Sequence, residues 1–454
     1  MSSLFARHAL LPQGWQENVL LGWDRGGTLS LVQAGAAPGV HAHADWVVPG
    51  MVNLHSHAFQ RALGGLAEVA GDSEDSFWSW RDLMYRFARQ LTPEHIEAIA
   101  AQLFSECLRH GYTSVCEFHY LQRDPGGALY ARPAEMAERL IGAARASGIG
   151  ITMLPVLYSF SGFGEQALRP EQRRFRTGVD EVLGIVEALG PLRDGQTEIG
   201  AAPHSLRAAS AAQIVELVKG LPAGRPLHIH IAEQEGEVAQ CLAATGARPL
   251  RHLFEHVAVD ARWCLVHATH PDEAELAALA ASGAVAGLCP STEANLGDGL
   301  FPLAPYLAAG GVFGIGSDSH VSQSPVEELR WLEYGQRLAR RRRIVAAGPG
   351  QRHVGDFLWQ GALRGGARAA GRPVGALEAG RRADLLVLDG GHPNLADAGA
   401  ADVMNRLIFC GNDNLVRDVM VGGRWVVRDH RHVAQAAIAQ RYQQTLAQLR
   451  TLRS

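Results

Sequence analysis

The stretch "MVNLHSHAFQ" at residues 51–60 decides how the rest of the chain is read. A short apolar run carries His55 and His57 and then gives way to a polar loop. On a strand, residues i and i+2 point to the same side, so both imidazoles can aim into whatever the strand helps to enclose. Two imidazoles so placed can chelate one zinc ion at about 2.0–2.1 Å. A pair of core histidines would look the same. The choice depends on what the rest of the chain brings to that strand end.

Seven further β-rich runs follow: "YTSVCEFHY" (112–120), "GITMLPVLY" (150–158), "EIGAAPHSL" (198–206), "PLHIHIAE" (226–233), "WCLVHATH" (263–270), "AVAGLCPST" (284–292) and "VFGIGSDSH" (312–320). Between them lie segments with apolar residues at helical spacing that end at glycine, such as "PEHIEAIAAQLFSECLRHG" and "AAQIVELVKG". Eight strands alternating with helices predict an α/β fold, a (β/α)8 barrel over residues 50–374. An open doubly wound sheet is the alternative, and the count of eight favours the barrel. Most runs end in His, Asp, Tyr or Glu, at the strand ends where the loops of such a barrel form its active-site mouth.

The two chain ends read differently. Residues 1–49 and 375–432 contain short alternating runs with Gly turns, "ENVLLGWDRGGTLSLVQAG" and "ADLLVLDGG…RDVMVGGRWVVRDH". They predict antiparallel strands of one small β-sandwich beside the barrel. A C-terminal helix is expected over 433–454. The insertion at 67–92, "AEVAGDSEDSFWSWRDLMYRFARQLT", is unusually long and is expected to cover the mouth.

Composition narrows the partners. The 454 residues are 47% hydrophobic and 19% charged, with a net charge of −4, so no global field draws in nucleic acid or acidic membranes. The run "RLARRRR" (337–343) reads as a solvated helix face. No uninterrupted apolar stretch approaches a membrane span, and no secretory leader is visible. Six cysteines without a CxxC pair predict reduced, mostly buried thiols in a cytoplasmic protein.

Further donors stand at the other strand ends: His228, His230 and Glu233 on the fifth, His267 on the sixth and Asp318 on the eighth. Together, "HSH", "HIHIAE", "VHAT" and "GSDS" in barrel order, with the tail "GALEAGRRADLLVLD", resemble the amidohydrolase superfamily. The resemblance spans nearly the whole chain. It implies His55, His57, His230 and Asp318 as metal ligands, with Glu233, His267 and Asp318 as the proton-handling catalytic groups. His228 is expected in packing, and His270 and His320 at the rim. The two-metal branch of the superfamily bridges its ions with a lysine on strand four, and "EIGAAPHSL" has none. One divalent ion, with zinc the best match to the donors, is therefore expected, as in the deaminase branch. Such an ion brings the pKa of a bound water to about 7 and so supplies a nucleophile at neutral pH.

The loops bear on the substrate. Gln60, Arg81, Tyr120, His204 and Arg207 stand near the expected mouth. Two arginines there suit a small-molecule dicarboxylate, which a guanidinium can bind bidentately. The strings "HAFQRALGGLAE", "FWSWRDLMY" and "FHYL" resemble the superfamily branch that hydrolyses the C=NH group of N-formimino-L-glutamate in histidine degradation. The resemblance implies that these five residues bind the substrate, and that the protein is a homodimer. A guanine or adenosine-type deaminase and a non-catalytic dicarboxylate-binding metalloprotein are the competing readings.

Overall fold

The computed structural model describes residues 2–39, 41–69, 77–348 and 350–451. The chain opens with β1 (Ser2–Leu11), β2 (Gly14–Trp23), β3 (Leu29–Gln33) and β4 (Ala42–Pro49). After Gly50 the barrel strands follow in order: β5 (Met51–Ser56), β6 (Tyr112–His119), β7 (Gly150–Leu157), β8 (Thr197–Ile199) with its short continuation β9 (Ala202–Pro203), β10 (Leu227–Ile231), β11 (Trp263–His267), β12 (Val285–Leu288) and β13 (Val312–Ile315). Every position of β5, β6 and β7 is buried. Strands covered on both faces read as continuous apolar runs, which is why these segments stand out in the sequence.

All neighbouring pairs in this set are parallel, in the orders β5-β6-β7-β8 and β10-β11-β12-β13. Two bridges join the halves: Ala201 to Leu227 between the fourth and fifth strands, and Ser56 to Asp318 between the eighth and first. The ring is thereby closed, with helices outside. The helix Val354–Ala370 seals the β13–β5 seam, and it can do so only because Gly365 lacks a side chain. A Cβ at Gly365 would fall 1.9 Å from the Phe313 carbonyl oxygen.

The second body contains β1–β4 together with β14 (Leu385–Leu388), β15 (Val416–Val421), β16 (Arg424–Arg428) and β17 (Arg431–His432). Here the structure departs from the expected sandwich of antiparallel strands. The eight strands are hydrogen-bonded as one sheet, in the order β17-β16-β15-β14-β4-β1-β2-β3. The β1–β4 pair is parallel, because the chain between β3 and β4 crosses back instead of turning as a hairpin. The sheet curls so that Trp23 Nε1 donates to the Gly423 carbonyl at 3.1 Å, and Leu4, Val19, Leu21, Leu385 and Met420 share one core.

The arginine run also differs from expectation, since its helix stops at Arg340 and Arg341 takes a left-handed backbone (φ 52°), leaving 341–343 exposed beyond the helix. The last helix covers Gln435–Thr451. Five of the six cysteines are buried free thiols and Cys410 is exposed. Among the described residues no helix is long and apolar enough to cross a membrane.

Candidate active site

The strand ends β5, β10 and β13 bring four donors to one point. Nε2 of His55 lies 3.1 Å from Nε2 of His57 and 2.9 Å from Nε2 of His230. Oδ1 of Asp318 lies 3.4 Å and 3.3 Å from the same atoms of His55 and His57. The approach is permitted by Gly316, where a Cβ would fall 2.7 Å from the backbone nitrogen of His55. Asp318 itself sits in the left-handed region (φ 46°), as does His267 (φ 66°). Such backbone is costly for residues with side chains, and it is retained here at the points where the chain must leave the barrel with a donor aimed inward.

The tautomers follow from the outer contacts. His57 Nδ1 donates to the Phe118 carbonyl at 2.8 Å and His230 Nδ1 donates to the His204 carbonyl at 3.0 Å. Each ring therefore turns an Nε2 lone pair toward the cluster. Burial holds these histidines neutral: His55 is lowered to about 3, and His57 and His230 lie below the usual imidazole value. Burial also opposes charge on Asp318, but its hydrogen bond with His55 and the neighbouring imidazoles hold it below the usual carboxylate range. Lone pairs and one anion converging out of water are the arrangement that a divalent cation satisfies.

Above the cradle stand Glu233, His267 and Glu293. Glu293 Oε1 lies 3.3 Å from His267 Nδ1 and accepts the Cys289 backbone N–H at 2.9 Å. A carboxylate oxygen accepts, so His267 donates from Nδ1, and its Nε2 faces Glu233 Oε1 at 3.7 Å and Asp318 Oδ2 at 3.8 Å. Burial opposes a charge on His267, yet Glu233, Glu293 and Asp318 raise it to about 10. Burial raises Glu233 to about 7, with His267 and Arg207 pulling the other way.

A cavity opens over these groups. His57, His230, Glu233, His267 and Asp318 form its floor, and Gln60, Arg81, Tyr120, His204 and Arg207 all line its walls. Gln60 Nε2 donates to the Tyr120 hydroxyl at 3.0 Å. Burial and the nearby Arg207 hold His204 neutral, well below the usual value. Arg81 comes from the helix Phe77–Ala88 and lies 5.5 Å over the Tyr85 ring. This helix lies in the insertion at 67–92; residues 70–76 of that expected cover lie outside the described residues.

Sequence reasoning passed over several groups. His320 was expected at the rim but is buried, with Nδ1 2.9 Å from Ser317 Oγ and Nε2 3.1 Å from Ser56 Oγ. Its left-handed backbone (φ 64°) turns the ring back under the cradle. His270 is half-buried and donates to the Asp298 carbonyl, while His228 donates to the Ala369 carbonyl, away from the cavity. Glu117, Tyr85, Tyr158, Gln172, Glu293 and Asp298 were not singled out. Gln172 Nε2 donates to the Tyr158 and Tyr85 hydroxyls at 2.8 Å and 3.3 Å, fixing one cavity wall. The acids of "STEANLGDGL" directly after the seventh strand were the available signal for Glu293 and Asp298.

Residues 46–426 match the model of the amidohydrolase family, and the chain belongs to that family. Residues 1–42 match the N-terminal domain of formimidoylglutamate deiminase HutF. The chain is 54% identical over 451 residues to formimidoylglutamate deiminase of Pseudomonas aeruginosa, covering 99% of this chain and 100% of that one. A crystal structure of an amidohydrolase from Brucella melitensis superposes with a TM-score of 0.94 at 44% identity, covering 99% of this chain and 100% of that one. A 5-methylthioadenosine/S-adenosylhomocysteine deaminase of Natronomonas pharaonis is more distant, at 30% identity over 84% of this chain and 81% of its own.

Proposed function

We propose that the protein hydrolyses N-formimino-L-glutamate to N-formyl-L-glutamate and ammonia, a step of histidine degradation. The observation that carries this reading is a single cavity with His57, His230 and Asp318 of the four-donor cradle at its floor and Arg81 and Arg207 on its walls. The full-length likeness to a formimidoylglutamate deiminase supports it. Two guanidinium groups suit the two carboxylates of glutamate, whereas a purine would present none.

His55, His57, His230 and Asp318 would hold one divalent ion, and zinc suits three imidazoles and a carboxylate. When bound, such an ion supplies an activated water at neutral pH and polarises the carbon to be attacked. Asp318, ionised at the cavity floor, takes one proton from the attacking water. The water oxygen bonds to the C=NH carbon while Glu233, neutral because it is buried, protonates the imine nitrogen. His267, oriented by Glu293, stabilises the negative charge that develops beside it. The second water proton then passes to the same nitrogen, the C–N bond breaks, ammonia leaves with the formyl product behind, and the proton held by Asp318 returns to Glu233. Arg207 and Arg81 bind the carboxylates, with Gln60, Tyr120 and His204 completing the contacts. The same reading makes the protein a cytoplasmic homodimer with one zinc per chain.

The experiment is an ammonia-release screen of the purified protein against N-formimino-amino acids and purines, with metal analysis and light scattering on the same sample. Turnover of N-formimino-glutamate is expected. Turnover of a purine alone would establish the other deaminase reading, and dicarboxylate binding without ammonia would establish the non-catalytic one.

A further inference from the structure

Behind Glu233 lies an acid that the mechanism above does not use. Asp298 follows the short helix Pro290–Leu296 after β12 and is 5% exposed. Its place is held from several sides. Its backbone N–H donates to the Glu293 carbonyl at 2.9 Å, His270 Nε2 donates to its own carbonyl at 2.8 Å, and Gln234 Nε2 donates to Oδ1. Oδ2 is buried and has no hydrogen-bond partner among the described residues. One carboxylate oxygen of Asp298, one of Glu233 and a ring nitrogen of His267 all lie within 4.8 Å of one another.

Glu233 and His267 line the cavity and Asp298 does not, so it stands behind the acid that meets substrate. Glu293 lies on the far side of His267, which adds further negative charge around one imidazole. Two carboxyl groups this close and out of water do not both ionise readily; one proton between them is the low-energy state.

We propose that Asp298 is a positioning residue for the deimination, sharing one proton with Glu233 so that Glu233 faces the substrate nitrogen as an acid. This rests on the deiminase reading. The shared proton is a standing one: the proton given by Glu233 to nitrogen is replaced by one from the attacking water, so each turnover leaves the pair as it began. Burial and the charge of Glu233 push Asp298 up to about 9, while Glu233 itself also faces His267, Arg207, Asp318 and the buried Glu237.

The test compares wild type with Asp298→Asn and Asp298→Glu as metal-loaded enzymes. Asn keeps an oxygen for Gln234 and removes the titrating group, while Glu restores a carboxyl. Ammonia release from N-formimino-glutamate is followed across pH, with metal content, KM and Tm measured alongside. In Asp298→Asn the alkaline fall of kcat/KM should move to lower pH by about one unit, a tenfold loss of proton affinity at Glu233. KM, metal content and Tm should be unchanged, and Asp298→Glu should restore the limb. An unmoved limb in Asp298→Asn would overturn the proposal. So would a uniform loss at every pH accompanied by lower Tm or lost metal, which marks a structural role. A wild type that releases no ammonia would bring down the deiminase reading itself, and the role of Asp298 with it.

Discussion

The four-donor cluster and the arginine-bearing walls meet at one cavity but are built by different means. The cradle donors sit at or just beyond the ends of paired strands, and His55, His57 and His230 have their rings oriented by burial or by a backbone carbonyl. The walls come from a 3-10 turn (Gln60), a helix in a long insertion (Arg81) and the loop after the fourth strand (His204, Arg207). Their side chains are held by other side chains, as Gln172 holds Tyr85 and Tyr158. Strand ends of a closed barrel place an atom with little freedom, which suits a metal. Loop walls can change without disturbing the ring, which is how one family serves different substrates.

Substitutions should separate the two regions. The largest effect is expected for His230→Ala: bound metal and ammonia release should both fall to background, and metal analysis with a zinc titration checks this. Glu233→Gln should keep the metal and lower kcat by about 10²–10⁴-fold, the usual contribution of a positioned acid–base group. Single-turnover ammonia release measures it. Because Glu233 works as an acid and burial places it at about 7, the wild-type rate should hold below that pH and decline above it. Glu233→Gln should lack that limb in whatever activity remains.

Arg207→Met should act on the wall alone. Loss of charge-assisted hydrogen bonds of about 1.5–3 kcal/mol predicts a KM raised about 10–100-fold with metal retained. An unchanged kcat/KM would remove Arg207 from the substrate site.

The smallest effect concerns the support beneath the cradle. Glu117 accepts the Ala58 N–H at 2.8 Å and the Ser56 hydroxyl, and burial raises it to about 8. Its folded-state pKa lies above the unfolded value, so its contribution to stability is full in acid and is lost as pH rises toward about 8. Denaturation midpoints of metal-loaded Glu117→Gln should therefore fall less steeply between about pH 5 and pH 8 than those of wild type.

Much of this architecture could be read before the fold was known. The eight apolar runs correspond to β5–β13 because barrel strands are buried on both faces and leave continuous hydrophobic signals. The β5 histidines stood out because their spacing matches the strand period, and His230 and Asp318 because their motifs resemble the amidohydrolase pattern. The small domain was less legible. Alternating runs identify strands, but partner choice is non-local, and the parallel β1–β4 pairing has no mark in either segment. His320 shows the same limit, since one left-handed residue separates a rim side chain from a buried one.

By itself, then, the sequence determined the strand count and brought forward the candidate donors and the residues proposed to recognise carboxylates, because these depend on local period and residue chemistry. Only the tertiary structure decided the single curled sheet, the burial of His320 and Glu117, and the placing of Glu293 and Asp298 around His267. Those outcomes depend on backbone turns and on which surfaces are excluded from water, and both are set by contacts between segments far apart in the chain.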